Sequence, residues 1–287
     1  MVVTQPLVAR SIIKEDPMRV VAKRAFDLTA SMKAVAQECA RHYGVAPDLD
    51  DRDHILGYLL HQRGLEPEYA TRGYFGGGRS DADQVKALAA RLSLSEGSFR
   101  LLEFASGYGR VTRHLRVILP NNSITASDVH PEAVSFIRDR LGVEAVGSHV
   151  EPGSAEIGSG YDLIVVLSLF SHLPDRTFGA WLQTLTSALS PEGFLMFTTH
   201  GDAAIQQYPN LTDSLDRSLG YGFIEVSDQN DLKLSDYGTA VVTPSYVMKR
   251  VEEYTDAKLF SFTSGNWFGL QDEWIIQRPP LSGSGDR

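Results

Sequence analysis

Between residues 99 and 198, short apolar runs alternate with stretches of helical spacing. Residues 101–104 precede 111–119, residues 124–127 precede 131–141, and 143–146 form a third run. Residues 161–167 then precede 176–189, and 194–198 close the series. Nearly unbroken apolar strands separated by amphipathic helices imply a parallel sheet covered on both faces. Right-handed crossovers then bring every strand's C-terminal end to one edge, where open α/β sheets bind ligands. The informative residues are therefore those just after each strand.

The flanking regions differ. The first ninety-odd residues read as helix, with Val21, Ala25, Leu28, Met32, Val35 and Cys39 on one face. Cys39 lies on that stripe, so it reads as an inert buried thiol. A short helix carries Ile55, Leu56, Leu59 and Leu60, with Gly64 past its end. Three successive glycines, Gly76, Gly77 and Gly78, predict a loop or hinge, with Ser80 capping the helix of Val85, Leu88, Ala89 and Leu92. Arg79 beside them can meet an acidic substrate or cap a helix C-terminus, and the cap is the favoured reading. Residues 201–240 are polar and aromatic, with short strands expected at 223–226 and 239–242. A helix at 245–254 and strands at 258–262 and 273–277 follow, and the last residues read as a disordered tail.

The expected organisation is a helical cap or lid over residues 1–95, an α/β domain over 96–278 with a lid insertion at 201–240, and a tail at 279–287. The 287 residues are 43% hydrophobic and 22% charged, enough for a full core. With 27 Lys+Arg against 36 Asp+Glu the formal net charge is −9, which disfavours nucleic acid as a partner. One cysteine makes no internal disulfide and fits a reducing, cytoplasmic setting. No stretch approaches 18 uncharged apolar residues and the N-terminus has no secretion-signal pattern, so no membrane partner is expected. The apolar stripe at 21–39 can pack on the chain's own sheet or on a second copy, which leaves a homo-oligomer open.

The sharpest local feature is LLEFASGYGR, residues 101–110. A strand carries the acid Glu103 and ends in a turn of small residues, Ala105, Ser106, Gly107 and Gly109, before a helix. Small residues there let backbone approach a ligand closely. Asp128 ends the next strand, where a carboxylate can accept hydrogen bonds from both hydroxyls of a ribose or cap the following helix. A carboxylate beside the turn raises the cost of a pyrophosphate, and the full G-x-G-x-x-G is absent. An adenosyl ligand carrying an ammonium and a sulfonium suits an acid-lined turn better.

EFASGYG resembles the first motif of the class I S-adenosylmethionine-dependent methyltransferases, and Asp128 matches their ribose-binding acid. YDLIVVLSLFSHLP resembles their fourth-strand segment, LSPEGFLMFTTHG the fifth strand with its Pro-x-Gly, and QDEWIIQR the last antiparallel strand. The resemblance implies a doubly wound, mostly parallel, seven-stranded Rossmann-like sheet and S-adenosyl-L-methionine as cofactor. It implies that Ala105–Gly109 lines the methionine and sugar portion, Glu103 anchors the amino group and Asp128 takes the ribose. Val129 and His149 would flank the adenine, with Leu167 and Ser168 closing the pocket floor. Where the family often has an acid after the third strand, this chain reads VGSHVEP. That leaves Ser148, His149, Glu151 or backbone for the adenine amine.

Methyl transfer from a sulfonium is an in-line displacement that rests mainly on positioning, and an oxygen or nitrogen acceptor can also need a base. His172 and His200, both expected at strand C-termini, are the candidate bases, each with a structural role as the alternative. Tyr74, Phe75, Tyr208 and Tyr237 are the candidate acceptor wall, with Tyr221, Phe223, Trp267 and Phe268 as further aromatics near the edge. The expected activity is methylation of a small-molecule acceptor, on oxygen or nitrogen, with a sugar or natural product as the class. An NAD(P)-dependent oxidoreductase and a non-catalytic nucleotide-binding relative are the alternatives.

Overall fold

The structure is a computed structural model that describes residues 26–61, 63–94, 97–229 and 231–280. Val21 and Ala25 of the predicted stripe, and residues 281–287 of the predicted tail, lie outside the described residues.

The sheet forms as the alternation predicts. Strands β1 (Arg100–Phe104), β2 (Ser123–Asp128), β3 (Glu144–Gly147), β4 (Tyr161–Val166) and β5 (Leu189–His200) are mutually parallel in the order β3-β2-β1-β4-β5. Two later strands, β8 (Lys258–Trp267) and β9 (Gln271–Gln277), extend it. β9 runs antiparallel to β5 and β8 antiparallel to β9, so the full order is β3-β2-β1-β4-β5-β9-β8. The order reverses at β1, so the crossovers from β1 to β2 and from β3 to β4 leave on opposite sides and open a crevice at the strand ends.

The two-residue side-chain period explains why both faces are apolar. Leu101, Leu163, Val165, Met196 and Ile275 face one core with α4 (Thr112–Ile118) and α5 (Pro131–Phe136). Leu102, Phe104, Ile164, Val166, Leu195, Phe197 and Trp274 face the other, under α6 (Asp175–Ala188) and α9 (Pro244–Tyr254). Burial on both faces removes the polar alternation a one-sided sheet would show. At the end of α5 the chain makes one π-turn, Ile137–Leu141, closed by Gly142 at φ 61°.

The N-terminal part has helices α1 (Ala30–Tyr43), α2 (His54–His61) and α3 (Pro67–Arg91). Thr29 caps α1 through the Met32 amide, and Gly44 ends it in the left-handed conformation. Met32, Val35 and Cys39 are buried in a cluster with Leu56, Tyr74 and Phe75, so the apolar stripe packs on the chain's own helices. Asp53 begins α2 by accepting from the Ile55 and Leu56 amides at 2.9 and 3.1 Å.

The glycine triplet is not a hinge, which corrects the sequence expectation. Gly76, Gly77 and Gly78 lie inside α3, and Ser80 is a mid-helix residue rather than a cap. Each glycine costs a helix interior about 1 kcal/mol relative to alanine. Packing offsets that cost: a Cβ on Gly78 would stand 2.3 Å from the carbonyl oxygen of Arg110, so only glycine lets α3 lie against the turn after β1. The same helix carries Ala82, Val85, Leu88 and Ala89 into the core beneath the sheet. α3 therefore belongs to both the helical cover and the α/β layer.

The 201–240 region contains two helices the sequence reading did not anticipate, α7 (Asp202–Gln207) and α8 (Pro209–Ser214). It also holds an antiparallel pair, β6 (Tyr221–Ile224) with β7 (Thr239–Val242). Among the described residues, no helix is long and apolar enough to cross a membrane.

Candidate active site

The turn after β1 is left-handed at three positions: Ala105 at φ 58°, Gly107 at 55° and Gly109 at 71°. Ser106 anchors it by donating its amide to Ser127 O at 3.0 Å. The Gly107 amide donates to Asp128 Oδ2 at 2.8 Å, which ties the turn directly to the acid at the end of β2. Asp128 Oδ1 accepts from the His130 amide at 3.0 Å and faces His130 Nδ1 at 2.8 Å. His130, not Asp128, is the residue before α5, so the helix-cap alternative for Asp128 is not what the structure has.

Glu103 lies beneath the turn, 4% exposed. The Thr112 hydroxyl donates to its Oε2 at 2.6 Å. Burial outweighs that bond and pushes the carboxyl up to about 7. Arg110, whose charge also bears on Glu103, is held by Asp81 of α3 at 2.5 Å.

These residues line one cavity at the sheet edge. Glu103, Ala105, Ser106, Gly107, Asp128, Val129, His149, Leu167 and Ser168 all reach it, as does Ser148. Gly109 does not. A Cβ there would stand 2.5 Å from Leu141 Cδ1, so its work is packing the turn onto the end of α5. Ser168 also sits left-handed, at φ 63°, with its amide donating to Thr198 Oγ1 at 2.8 Å. Glu151 does not line the cavity; its amide donates to His149 Nδ1 at 2.9 Å and so orients that ring.

The cavity is covered by both flanking regions. Asp53, His54 and Ile55 come from the start of α2, and Gln229, Leu232, Asp236 and Tyr237 come from the stretch between β6 and β7. Phe268, in the turn joining β8 to β9, closes the third side.

The aromatic wall needs correction. Of its four candidate residues only Tyr237 lines the cavity. Tyr74 and Phe75 are 1% and 0% exposed in the core of the helical part, and the Tyr74 hydroxyl donates to Asp53 Oδ2 at 2.6 Å. Tyr208 packs with Ala204, Leu211 and Val241 instead.

His172 and His200 also lie off the cavity. The His172 ring stacks on Tyr237 at 4.6 Å and its Nδ1 is 2.6 Å from Gly238 O. His200 places Nδ1 3.1 Å from Ala240 O. Burial pushes both imidazoles down, His200 to about 4, so both are neutral near pH 7. They tie the strand ends to β7 and its approach rather than facing the lined space.

One cluster escaped the sequence reading altogether. His54 Nε2 lies 3.0 Å from Asp231 Oδ2, and His130 Nε2 lies 2.9 Å from the same oxygen. Asp128 and Asp231 flank His130 and raise its imidazole to about 10, while the hydrogen bonds from His130 and His54 outweigh burial and hold Asp231 far below the carboxylate range. Residues 54, 130 and 231 come from three separate segments, so no spacing rule joins them.

Residues 102–195 match the family model described as a methyltransferase domain. Among curated proteins, the chain is similar to the malonyl-[acyl-carrier protein] O-methyltransferases of Acetivibrio thermocellus and Bacillus cytotoxicus. Identity is 30% over 110 residues and 31% over 111 residues, covering 37% and 38% of this chain. Each match spans 38% of the relative's own length. Among solved structures, it is similar to the 1,6-didemethyltoxoflavin-N1-methyltransferase of Burkholderia thailandensis. That likeness has a TM-score of 0.49 and 14% identity and covers 72% of this chain and 84% of that one.

Proposed function

We propose that this chain, whose residues 102–195 match a methyltransferase domain, is a class I S-adenosylmethionine-dependent methyltransferase that methylates a small-molecule acceptor. The acceptor would be enclosed between the sheet edge and the chain's own cover.

The donor set fits the cofactor. Glu103 offers a buried carboxyl held by a single hydroxyl, which suits an ammonium arriving in the cavity. Asp128 faces the same cavity at the end of β2, in the place of a ribose acceptor. Around Gly107 there is no heavy atom within 4 Å of a Cβ position, so the turn leaves open space for a ligand against the backbone. Val129 and His149 would flank a planar base, and Leu167 and Ser168 would floor the pocket. Two carboxylates, with Arg110 committed to Asp81, disfavour the pyrophosphate that a nicotinamide cofactor would bring.

The single observation that carries the reading is that one cavity joins Glu103, the turn 105–107 and Asp128. When bound, the cofactor supplies an activated methyl on sulfur. The chain's part is to fix the donor between Glu103 and Asp128, to hold the acceptor in line under Tyr237, Leu232 and Ile55, and to keep water out. Alignment of that kind is worth about 7–11 kcal/mol of barrier. With His172 and His200 off the cavity, neither is placed to act as the base, and positioning is the main contribution. A cavity covered from both flanks supports a small acceptor, oxygen- or nitrogen-bearing, of the sugar or natural-product class.

Thermal melting with S-adenosylmethionine tests the reading. A hundredfold excess over Kd should stabilise the chain by about 2.7 kcal/mol. Asp128→Ala should remove the shift. An unchanged melt of the wild-type chain under saturating cofactor would overturn the proposal. Incubation with labelled cofactor and a small-metabolite extract, read by mass spectrometry, then identifies the acceptor.

A further inference from the structure

His54 begins α2 of the helical cover, His130 follows β2, and Asp231 lies between β6 and β7. Their side chains converge at the edge of the cavity, which His54 and His130 also line. One ligand atom from each, Nε2, Nε2 and Oδ2, lies within 4.8 Å of the others. The two imidazole rings are 5.5 Å apart.

Asp231 Oδ2 faces both Nε2 atoms, and Asp128 Oδ1 faces the Nδ1 of His130 at 2.8 Å. One divalent ion among the three converging atoms would meet all of them. Donors about 2.1 Å from one ion stand about 3.0–3.4 Å apart, so the 3.0 and 2.9 Å separations from Asp231 Oδ2, which are also those of hydrogen bonds, need little rearrangement to admit an ion. Asp128 on the far nitrogen of His130 is the carboxylate–histidine pairing that orients a metal-binding imidazole.

We propose that His54, His130 and Asp231 bind a divalent first-row transition ion on one face, leaving its remaining coordination positions toward the cavity. Two imidazoles and one carboxylate in that arrangement are the donor set of open, six-coordinate sites. The ion would join the helical cover and the 201–240 region to the loop that carries Asp128. Such an ion would also suit an acceptor bearing a hydroxyl, whose proton it would acidify, a clause that rests on the methyl-transfer reading.

The test uses the full chain without cofactor. Chelator-treated protein is titrated with Co²⁺ by calorimetry and visible absorption. One equivalent should bind and give ligand-field bands. His54→Gln and Asp231→Asn should each weaken binding by about 10–100-fold or more. The far-ultraviolet spectrum of each variant should match the wild type. His54→Gln lies on a half-exposed helix start and keeps the test usable if Asp231→Asn disturbs its loop. No binding below millimolar Co²⁺ would overturn the proposal, and so would undiminished binding by both variants. With no cofactor in the experiment, failure here leaves the methyl-transfer reading standing, and a lost thermal shift with S-adenosylmethionine leaves the metal site standing.

Discussion

On the proposed role of Glu103 as the anchor of the cofactor's ammonium, its burial makes cofactor affinity a function of pH with a definite sign. Burial raises this group from an ordinary 4.5 to about 7, so the ligand-free protein holds Glu103 protonated through pH 5 and 6. An ammonium binds the ionised form, so below pH 7 each unit should cost about tenfold in affinity. The α-amino group of S-adenosylhomocysteine, beside a free carboxylate, keeps its proton into the alkaline range, so the expected profile rises to a plateau above about pH 7. At pH 6 affinity should be roughly tenfold below that plateau. Isothermal titration with S-adenosylhomocysteine, which keeps the amine, measures the profile in buffers of different ionisation enthalpy. Proton release should accompany binding at pH 6. Glu103→Gln should bind more weakly at pH 7.5 and lose the acid limb. A wild-type affinity that is flat from pH 6 to 7.5, or an acid limb that survives in Glu103→Gln, would refute the reasoning.

Ligand-free stability carries the same linkage with opposite signs from two groups. Because the folded Glu103 binds its proton more tightly than the unfolded chain does, its contribution is full below pH 4.5 and falls by about 3 kcal/mol as pH rises to 7. Urea melts should show that slope flattened in Glu103→Gln. His200, depressed to about 4, acts the other way: its contribution is full above pH 6.5 and falls by up to about 3 kcal/mol on acidification to pH 4. His200→Gln should lose less stability than wild type between those values, and an unchanged acid slope would count against its burial. In α3, Gly78→Ala should destabilise by about 1–3 kcal/mol, because its Cβ would meet the Arg110 carbonyl oxygen. Gly73→Ala, with nothing within 4 Å of the new Cβ, should stabilise by about 0.5–1 kcal/mol; equal effects of the two in chemical denaturation would refute the packing account. Tyr237→Ala should raise KM for the acceptor in the methyl-transfer assay while leaving the cofactor thermal shift in place.

The sheet was legible because its signal is local. A strand buried on both faces favours successive apolar residues, and residues 101–102 of β1, 163–166 of β4 and 194–197 of β5 form such runs. The turn after β1 was legible for a related reason, since left-handed backbone at Gly107 and Gly109 leaves its mark in the residues themselves. The glycine triplet of α3 carries the same mark for a different cause. Propensity alone places three glycines in a loop, and what requires glycine at position 78 is the Arg110 backbone, 32 positions later in sequence. Tyr74 and Phe75 failed as acceptor contacts by the same route: once the triplet is helical, they fall on the buried face of α3.

The cover over the cavity was the least legible part, and the reason bears on what it does. Glu103 and Asp128 sit at fixed offsets from strand ends, so a pattern can find them. Asp53, His54, Asp231 and Tyr237 have no such frame, because each is placed by packing of a separate segment onto the sheet edge. Asp53 is fixed by Tyr74, Tyr237 by the ring of His172, and His54 by Asp231. The side chains first read as chemistry, Tyr74 and His172, thus serve as supports for side chains that line the cavity. On this arrangement the residues proposed to hold the cofactor and the shape offered to an acceptor are built from different parts of the chain. Substitutions at Tyr74 or His172 should then alter acceptor selectivity through Asp53 or Tyr237 while cofactor affinity stays with Glu103 and Asp128.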